Sequence, residues 1–155
     1  MSAFTISRGT TIAASPATVR ALVEDFHRWQ QWSPWEDLDP DLKRSYSGAE
    51  HGVGARYAWV GNRKAGAGSM EIVAATPESL RIELAFLKPW KATNDVVFTF
   101  SAEAAGTHVT WSMSGVHAGL GKLFARFFNV EKLIGPDFEK GLAKLKAVAE
   151  SAETA

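Results

Sequence analysis

Trp29, Trp32, Trp35 and Glu36 are the residues whose types and spacing first suggest chemistry. Tryptophan every third residue makes either a hydrophobic plug at one end of the fold or the rim of a pocket. In the second case the indole N–H groups can orient a polar part of a ligand. Glu36 follows directly, and a carboxylate at an apolar rim resists ionisation and can take part in proton transfer. Tyr57, on a strand-like stretch, is the second candidate acid or base. Glu71 is a further carboxylate, but alternation sets it opposite Met70 and Ile72 and so toward solvent.

Other constellations fail on their own terms. Asp37, Asp39 and Asp41 begin like a calcium loop, but Leu42 and Gly48 stand where glycine and a bidentate glutamate are needed. Gly52/Gly54 and Gly66/Gly68 precede strand-like sequence, not a helix N-terminus, so they read as turns or bulges and not as a phosphate cradle. His27, His51, His108 and His117 show no metal-ligand spacing, and no metal or other cofactor is expected. Ser69, Ser112 and Ser114 lie outside any nucleophile elbow. The stretch with Leu120, Leu123, Phe124, Phe127 and Phe128 reads either as a helix packed on the sheet or as a gate over a pocket.

These residues need elements to position them. Alternating Phe4, Ile6, Arg8, Thr10 and Ile12 predict a first strand. Ser15 and Pro16 predict a helix start, with Val19, Leu22, Val23 and Phe26 at helical spacing. Pro34 breaks any long helix through the tryptophans, leaving a second short helix or turn. Strands are predicted over 43–47, 55–60, 68–75, 79–87, 92–102 and 108–115. Their connections are too short for parallel crossovers, so the sheet is an antiparallel meander. Phe127, Val130, Ile134, Phe138, Leu142, Leu145 and Ala149 form one apolar helical stripe, interrupted at Gly135-Pro136 by a kink or a new start. Residues 1–150 read as one domain, with 151–155 frayed.

Period two then sorts the strands. Tyr57 and Trp59, Met70 and Ile72, Ile82, Leu84 and Phe86, Phe98 and Phe100, and Trp111 and Met113 share the inward face. Rings and thioethers of this kind make either a packed core or the lining of an adaptable apolar pocket.

Composition narrows the classes. The chain has 155 residues, 46% hydrophobic and 22% charged, with seventeen basic and seventeen acidic side chains. A balanced charge argues against nucleic acid as partner. The absence of cysteine removes disulfides and thiol chemistry. No apolar run suits a membrane span, and the first sixteen residues lack a signal-peptide pattern, so a soluble cytoplasmic protein without stable membrane insertion is expected.

The stretches Ala14-Ser15-Pro16-Ala17-Thr18-Val19, Trp32-Ser33-Pro34-Trp35, Tyr46-Ser47-Gly48, Gly52-x-Gly54-Ala55-x-Tyr57-x-Trp59, Gly66-x-Gly68-x-Met70-Glu71-Ile72 and the 135–146 segment together carry a likeness. With them the chain resembles the SRPBCC, START-like or Bet v 1-like, superfamily, and within it the bacterial polyketide cyclase/dehydrase-like branch. The resemblance implies an α+β helix-grip fold: a seven-stranded curved antiparallel sheet around a long C-terminal helix, with two short helices between strands 1 and 2. It implies an internal cavity holding a small hydrophobic or amphipathic ligand. The expected lining is Trp35, Tyr57, Trp59, Met70, Ile72, Leu84, Phe86, Phe98, Phe100, Trp111, Met113, Phe124, Phe127 and Phe138. Alternatives are a cyclase, dehydratase or hydrolase using Glu36, Tyr57 or a histidine, and a protein-interaction or stress-response regulator. A monomer or weak homodimer is expected.

Overall fold

The computed structural model describes residues 2–36, 39–63, 65–88, 91–117 and 130–154. Seven strands form one antiparallel sheet: β1 (Ser2–Ile12), β2 (Lys43–Gly48), β3 (Ala55–Val60), β4 (Ala67–Thr76), β5 (Ser79–Lys88), β6 (Ala92–Glu103) and β7 (Gly106–His117). Their spatial order is β1-β7-β6-β5-β4-β3-β2. The meander from β2 to β7 therefore ends beside β1, and the chain between β1 and β2 must travel from one sheet edge to the other. That passage is made by α1 (Pro16–Val23) and a 3₁₀ helix (Phe26–Gln31).

Local chemistry starts both short helices where the sequence places them. Ser15 Oγ accepts from the Thr18 amide at 3.3 Å and Pro16 takes the first helical position. Asp25 caps the 3₁₀ helix by accepting from the His27 amide at 3.0 Å. Pro34 follows, and the chain turns there instead of extending the helix.

The last helix, α2 (Val130–Thr154), is continuous. Pro136 sits inside it, so of the two expectations for Gly135-Pro136 the fresh helix start is not what the chain adopts. At about 1.5 Å per residue it is roughly 37 Å long, enough to cross the sheet. It is helical past residue 150, where fraying was expected. Glu150 accepts from the Ala13 amide, and Glu153 from the Ser15 amide and the Thr18 hydroxyl, each at 2.9 Å. The C-terminal turns thus hold the β1–α1 corner. A hydrogen bond from Lys146 and then the Ala13 amide lower the Glu150 pKa, and the Ser15 amide and Thr18 hydroxyl lower that of Glu153.

The inner face of the sheet is buried as alternation predicts. Ile6, Ile72, Leu80, Ile82, Phe98, Val109 and Trp111 are almost inaccessible, and so are Phe138, Leu142, Leu145 and Ala149 of α2. Register shifts between Ala67 and Gly68 and between Ile72 and Ala74 mark bulges in β4. Such bulges bend a strand and raise its twist, curving the sheet around α2. Gly141 sets how closely the helix approaches. A Cβ there would come within 2.8 Å of the Pro34 ring and 2.9 Å of the Trp111 ring.

Candidate functional site

The interior divides into a solid half and an open half. In the solid half Trp111 is stacked between Phe98 (ring centroids 5.1 Å apart) and Phe138 (4.1 Å, 7° between planes). Trp32 meets both Phe98 and Trp111 edge-on and is fully buried, its indole N–H donating to the Leu22 carbonyl at 2.9 Å. Ile72, Phe98, Phe100, Trp111 and Phe138, all expected to line a pocket, are buried core residues outside the cavity wall.

The open half is a cavity of about 200 Å³. Its wall combines the 3₁₀ helix and following turn (Trp29, Ser33, Trp35, Glu36), Leu42, β3 (Tyr57, Trp59), Ala65, β4 (Met70), β5 (Leu84, Phe86), β7 (Met113) and α2 (Ile134). Of the residues expected to bind a ligand, Trp35, Tyr57, Trp59, Met70, Leu84, Phe86 and Met113 line this one cavity. Phe124 and Phe127, with the suggested gate, lie outside the described residues. Trp29 and Trp35 line the cavity while Trp32 is a plug, so the three tryptophans divide between the two roles considered for them.

Sequence reasoning missed Ser33, Leu42, Ala65 and Ile134 as lining. Ile134 was visible as part of the helical stripe. Ser33, Leu42 and Ala65 sit in turns, where no periodicity assigns a face.

Trp59 forms one wall because it folds over a glycine. The residues pair across β3 and β4, and a Cβ at Gly68 would come within 2.6 Å of Trp59 Cη2. The Trp59 indole N–H donates to the Ala65 carbonyl at 2.9 Å, which pins the ring. Tyr57 lies nearly parallel at 6.0 Å, and Phe86 meets Trp59 edge-on at 5.9 Å.

The polar end is a connected network. Arg44 donates from Nε to Glu36 Oε2 at 2.6 Å and from a terminal nitrogen to the Glu36 carbonyl at 3.1 Å. The Tyr57 hydroxyl donates to Glu36 Oε1 at 3.3 Å. Gln30 donates to the Tyr46 hydroxyl at 2.9 Å, and the Tyr46 ring lies 5.3 Å from that of Tyr57. Glu36 is therefore a buried, charge-compensated carboxylate, and the rim is not the apolar one on which proton transfer was first argued. Its hydrogen bond raises the Arg44 pKa. Burial, then the negative charge of Glu36, drives the Tyr57 hydroxyl far above its ordinary range. Burial also raises Tyr46.

The Tyr57 shift has a definite sign in stability. The folded chain keeps this proton where the unfolded chain releases it, near pH ~10. The associated stability is complete below that pH and is lost as pH rises through and beyond it. Tyr57→Phe is expected to flatten the decline of urea midpoints above pH ~10; parallel wild-type and variant profiles would refute the assignment.

The remaining candidates lie elsewhere. Glu71 pairs with Arg56 at 3.2 Å in a half-exposed position. Asp39 accepts from the amides of Asp41 and Asn62. His27 stacks on Tyr46 outside the cavity wall, and His108 contacts Thr11. Among the described residues no helix is long and apolar enough to cross a membrane.

Residues 3–150 match the family described as polyketide cyclase / dehydrase and lipid transport. No curated protein matches the chain. Among solved structures, a Staphylococcus aureus protein of unknown function superposes with a TM-score of 0.71 at 12% identity, over 99% of this chain and 98% of that one. The Aha1 dimer from Colwellia psychrerythraea gives 0.67 at 17% identity, over 95% and 96%. DynU16, from the dynemicin biosynthetic locus, gives 0.65 at 17% identity, over 96% of this chain and 48% of its own. At these identities the likeness establishes the fold.

Proposed function

Because the chain belongs to the polyketide cyclase / dehydrase and lipid transport family, we propose that it binds a small hydrophobic or amphipathic molecule in the cavity between sheet and α2. The observation that carries this reading is the cavity itself: about 200 Å³ walled largely by rings, thioethers and aliphatic groups, with polar atoms gathered at Glu36 and Tyr57. Apolar burial at ~25 cal/mol per Å² supplies the affinity, less the entropy lost on association. Trp35, Tyr57, Trp59, Met70, Leu84, Phe86 and Met113 make the contacts.

Leu84 offers the direct test, since it is buried and on the wall. Leu84→Trp adds bulk into open space. With 2-naphthol as an amphipathic bicyclic probe, native mass spectrometry is expected to show one molecule per wild-type chain. The variant should bind at least about tenfold more weakly while keeping its fold, because the added ring occupies the volume the probe needs. Equal uptake by both chains places the probe elsewhere and defeats the reading.

A second reading is supported by the convergence of Ser33, Glu36 and Tyr57 on the same space. A cyclase, dehydratase or hydrolase needs polar groups held rigidly against a bound substrate. Under it, Glu36 accepts a proton and Tyr57 orients the reacting oxygen. Turnover lost in Glu36→Gln with binding retained favours this reading over simple binding.

A further inference from the structure

The charge arrangement at the polar end says more about the ligand than the apolar wall does. Glu36 is the one ionisable carboxylate on the wall, and no lysine, arginine or histidine lines the cavity among the described residues. Arg44, off the cavity wall, gives Glu36 two of its five donors, at 2.6 Å to the carboxylate and 3.1 Å to the carbonyl. The ion pair is therefore neutral as a unit, and the face it turns to the cavity is the acceptor face.

That face has unused capacity. A carboxylate offers about four lone-pair sites. Among the described residues two are filled, one by Arg44 Nε and one by the Tyr57 hydroxyl. The Tyr57 oxygen, having donated its proton, can still accept. A ligand meeting this end must bring a donor.

Volume sets the second limit. About 200 Å³ exceeds the ~150 Å³ of an apolar cavity that takes benzene. It falls short of the ~300–1,000 Å³ of sites for drug-sized molecules. One ring or two fused rings fill that space.

Resting on the binding reading above, we infer that the cavity selects a neutral one- or two-ring aromatic molecule carrying a hydroxyl or similar hydrogen-bond donor, which it presents to Glu36 and Tyr57, and that it rejects carboxylate ligands such as free fatty acids. An anion entering here is desolvated beside Glu36 with no cation among the described wall residues to meet it. An ammonium ligand gains Glu36 and the aromatic faces, but the Glu36 charge is already matched by Arg44, so it buries an excess positive charge. A neutral donor gains a charge-assisted hydrogen bond and disturbs neither charge.

The test is isothermal titration calorimetry of the full chain with four probes of one skeleton: naphthalene, 2-naphthol, 2-naphthoate and naphthalen-2-ylmethylammonium. The expected order puts 2-naphthol first, about tenfold or more tighter than naphthalene, as a hydrogen bond to a charged group implies. Both ions are expected to bind at least about tenfold more weakly than 2-naphthol. In Glu36→Gln the gap between 2-naphthol and 2-naphthoate should narrow by about tenfold. The wild-type ranking stands without that variant should it fail to fold. Equal binding of naphthalene and 2-naphthol, or either ion binding as tightly as 2-naphthol, overturns the inference while leaving a ligand-binding cavity. Binding of none of the four overturns the binding reading as well.

Discussion

Phe138→Ala is expected to destabilise the chain by about 3–5 kcal/mol, the usual cost of removing a fully buried phenylalanine ring. Phe138 has no exposure and its ring lies flat against Trp111 at 4.1 Å, with Trp35 edge-on at 6.0 Å. Collapse around the missing ring is obstructed on two sides. Gly141 already holds α2 against Pro34 and Trp111, and Trp111 is held from behind by Phe98. The void therefore persists, and the transfer loss and the cavity cost add. Phe138→Leu keeps most of the volume and should lose distinctly less. Urea denaturation measures both, and since total stabilities run to about 5–15 kcal/mol, the alanine variant should lie near the edge of folding. A loss under about 1 kcal/mol means that the Phe98–Trp111–Phe138 stack is not the anchor between sheet and helix.

The Trp111 indole N–H is buried with no hydrogen-bond partner among the described residues. An orphaned donor costs free energy, and the two-sided ring stack is what offsets it. Loosening the stack by losing Phe138 removes that compensation as well.

The same stack shows what alternation along a strand can and cannot tell. Period two gives a face, and on that basis Phe98, Trp111, Leu84 and Met113 are equivalent: all point inward and all are buried. Whether a given inward residue touches protein or open space depends on what stands opposite, which strand periodicity does not contain. Phe98 and Trp111 face Phe138 and Trp32. Leu84 and Met113 face the region where the turn through Ser33 and Trp35 stands off the sheet. The antiparallel meander, the two short helices and the terminal helix were all legible, because turn residues, Ser15-Pro16 and the apolar stripe are local signals. The fate of Pro136 was not, since a proline inside a helix and one that starts a helix read alike. Glu36 was legible as a candidate from its place after Trp35. Its partner was not: Arg44 lies on a short edge strand, where a basic side chain ordinarily means solvent, and only β2–β3 pairing, which sets it opposite Trp59, brings it to the face that carries Tyr57.

That hidden partner carries the second large effect. Arg44→Met is expected to cost about 2–4 kcal/mol, because it leaves the Glu36 carboxylate buried without its counter-charge. Glu36 is about nine-tenths buried and Arg44 about three-quarters, at 7% and 24% side-chain exposure. The figure therefore lies below that for a fully enclosed pair and well above the ~0–1 kcal/mol of a surface pair. The Tyr57 hydroxyl cannot substitute, since it donates one hydrogen bond and carries no charge. Glu36→Gln in the same chain should recover most of the loss, because two desolvated charges are then gone together and the amide can still accept from Tyr57. A double-mutant cycle in urea should thus give a coupling of at least about 1.5 kcal/mol between positions 36 and 44. Independent, additive effects would mean that solvent reaches Glu36 freely. The acceptor face that the cavity turns to its ligand would then be hydrated like any surface carboxylate, without the selectivity that burial gives it.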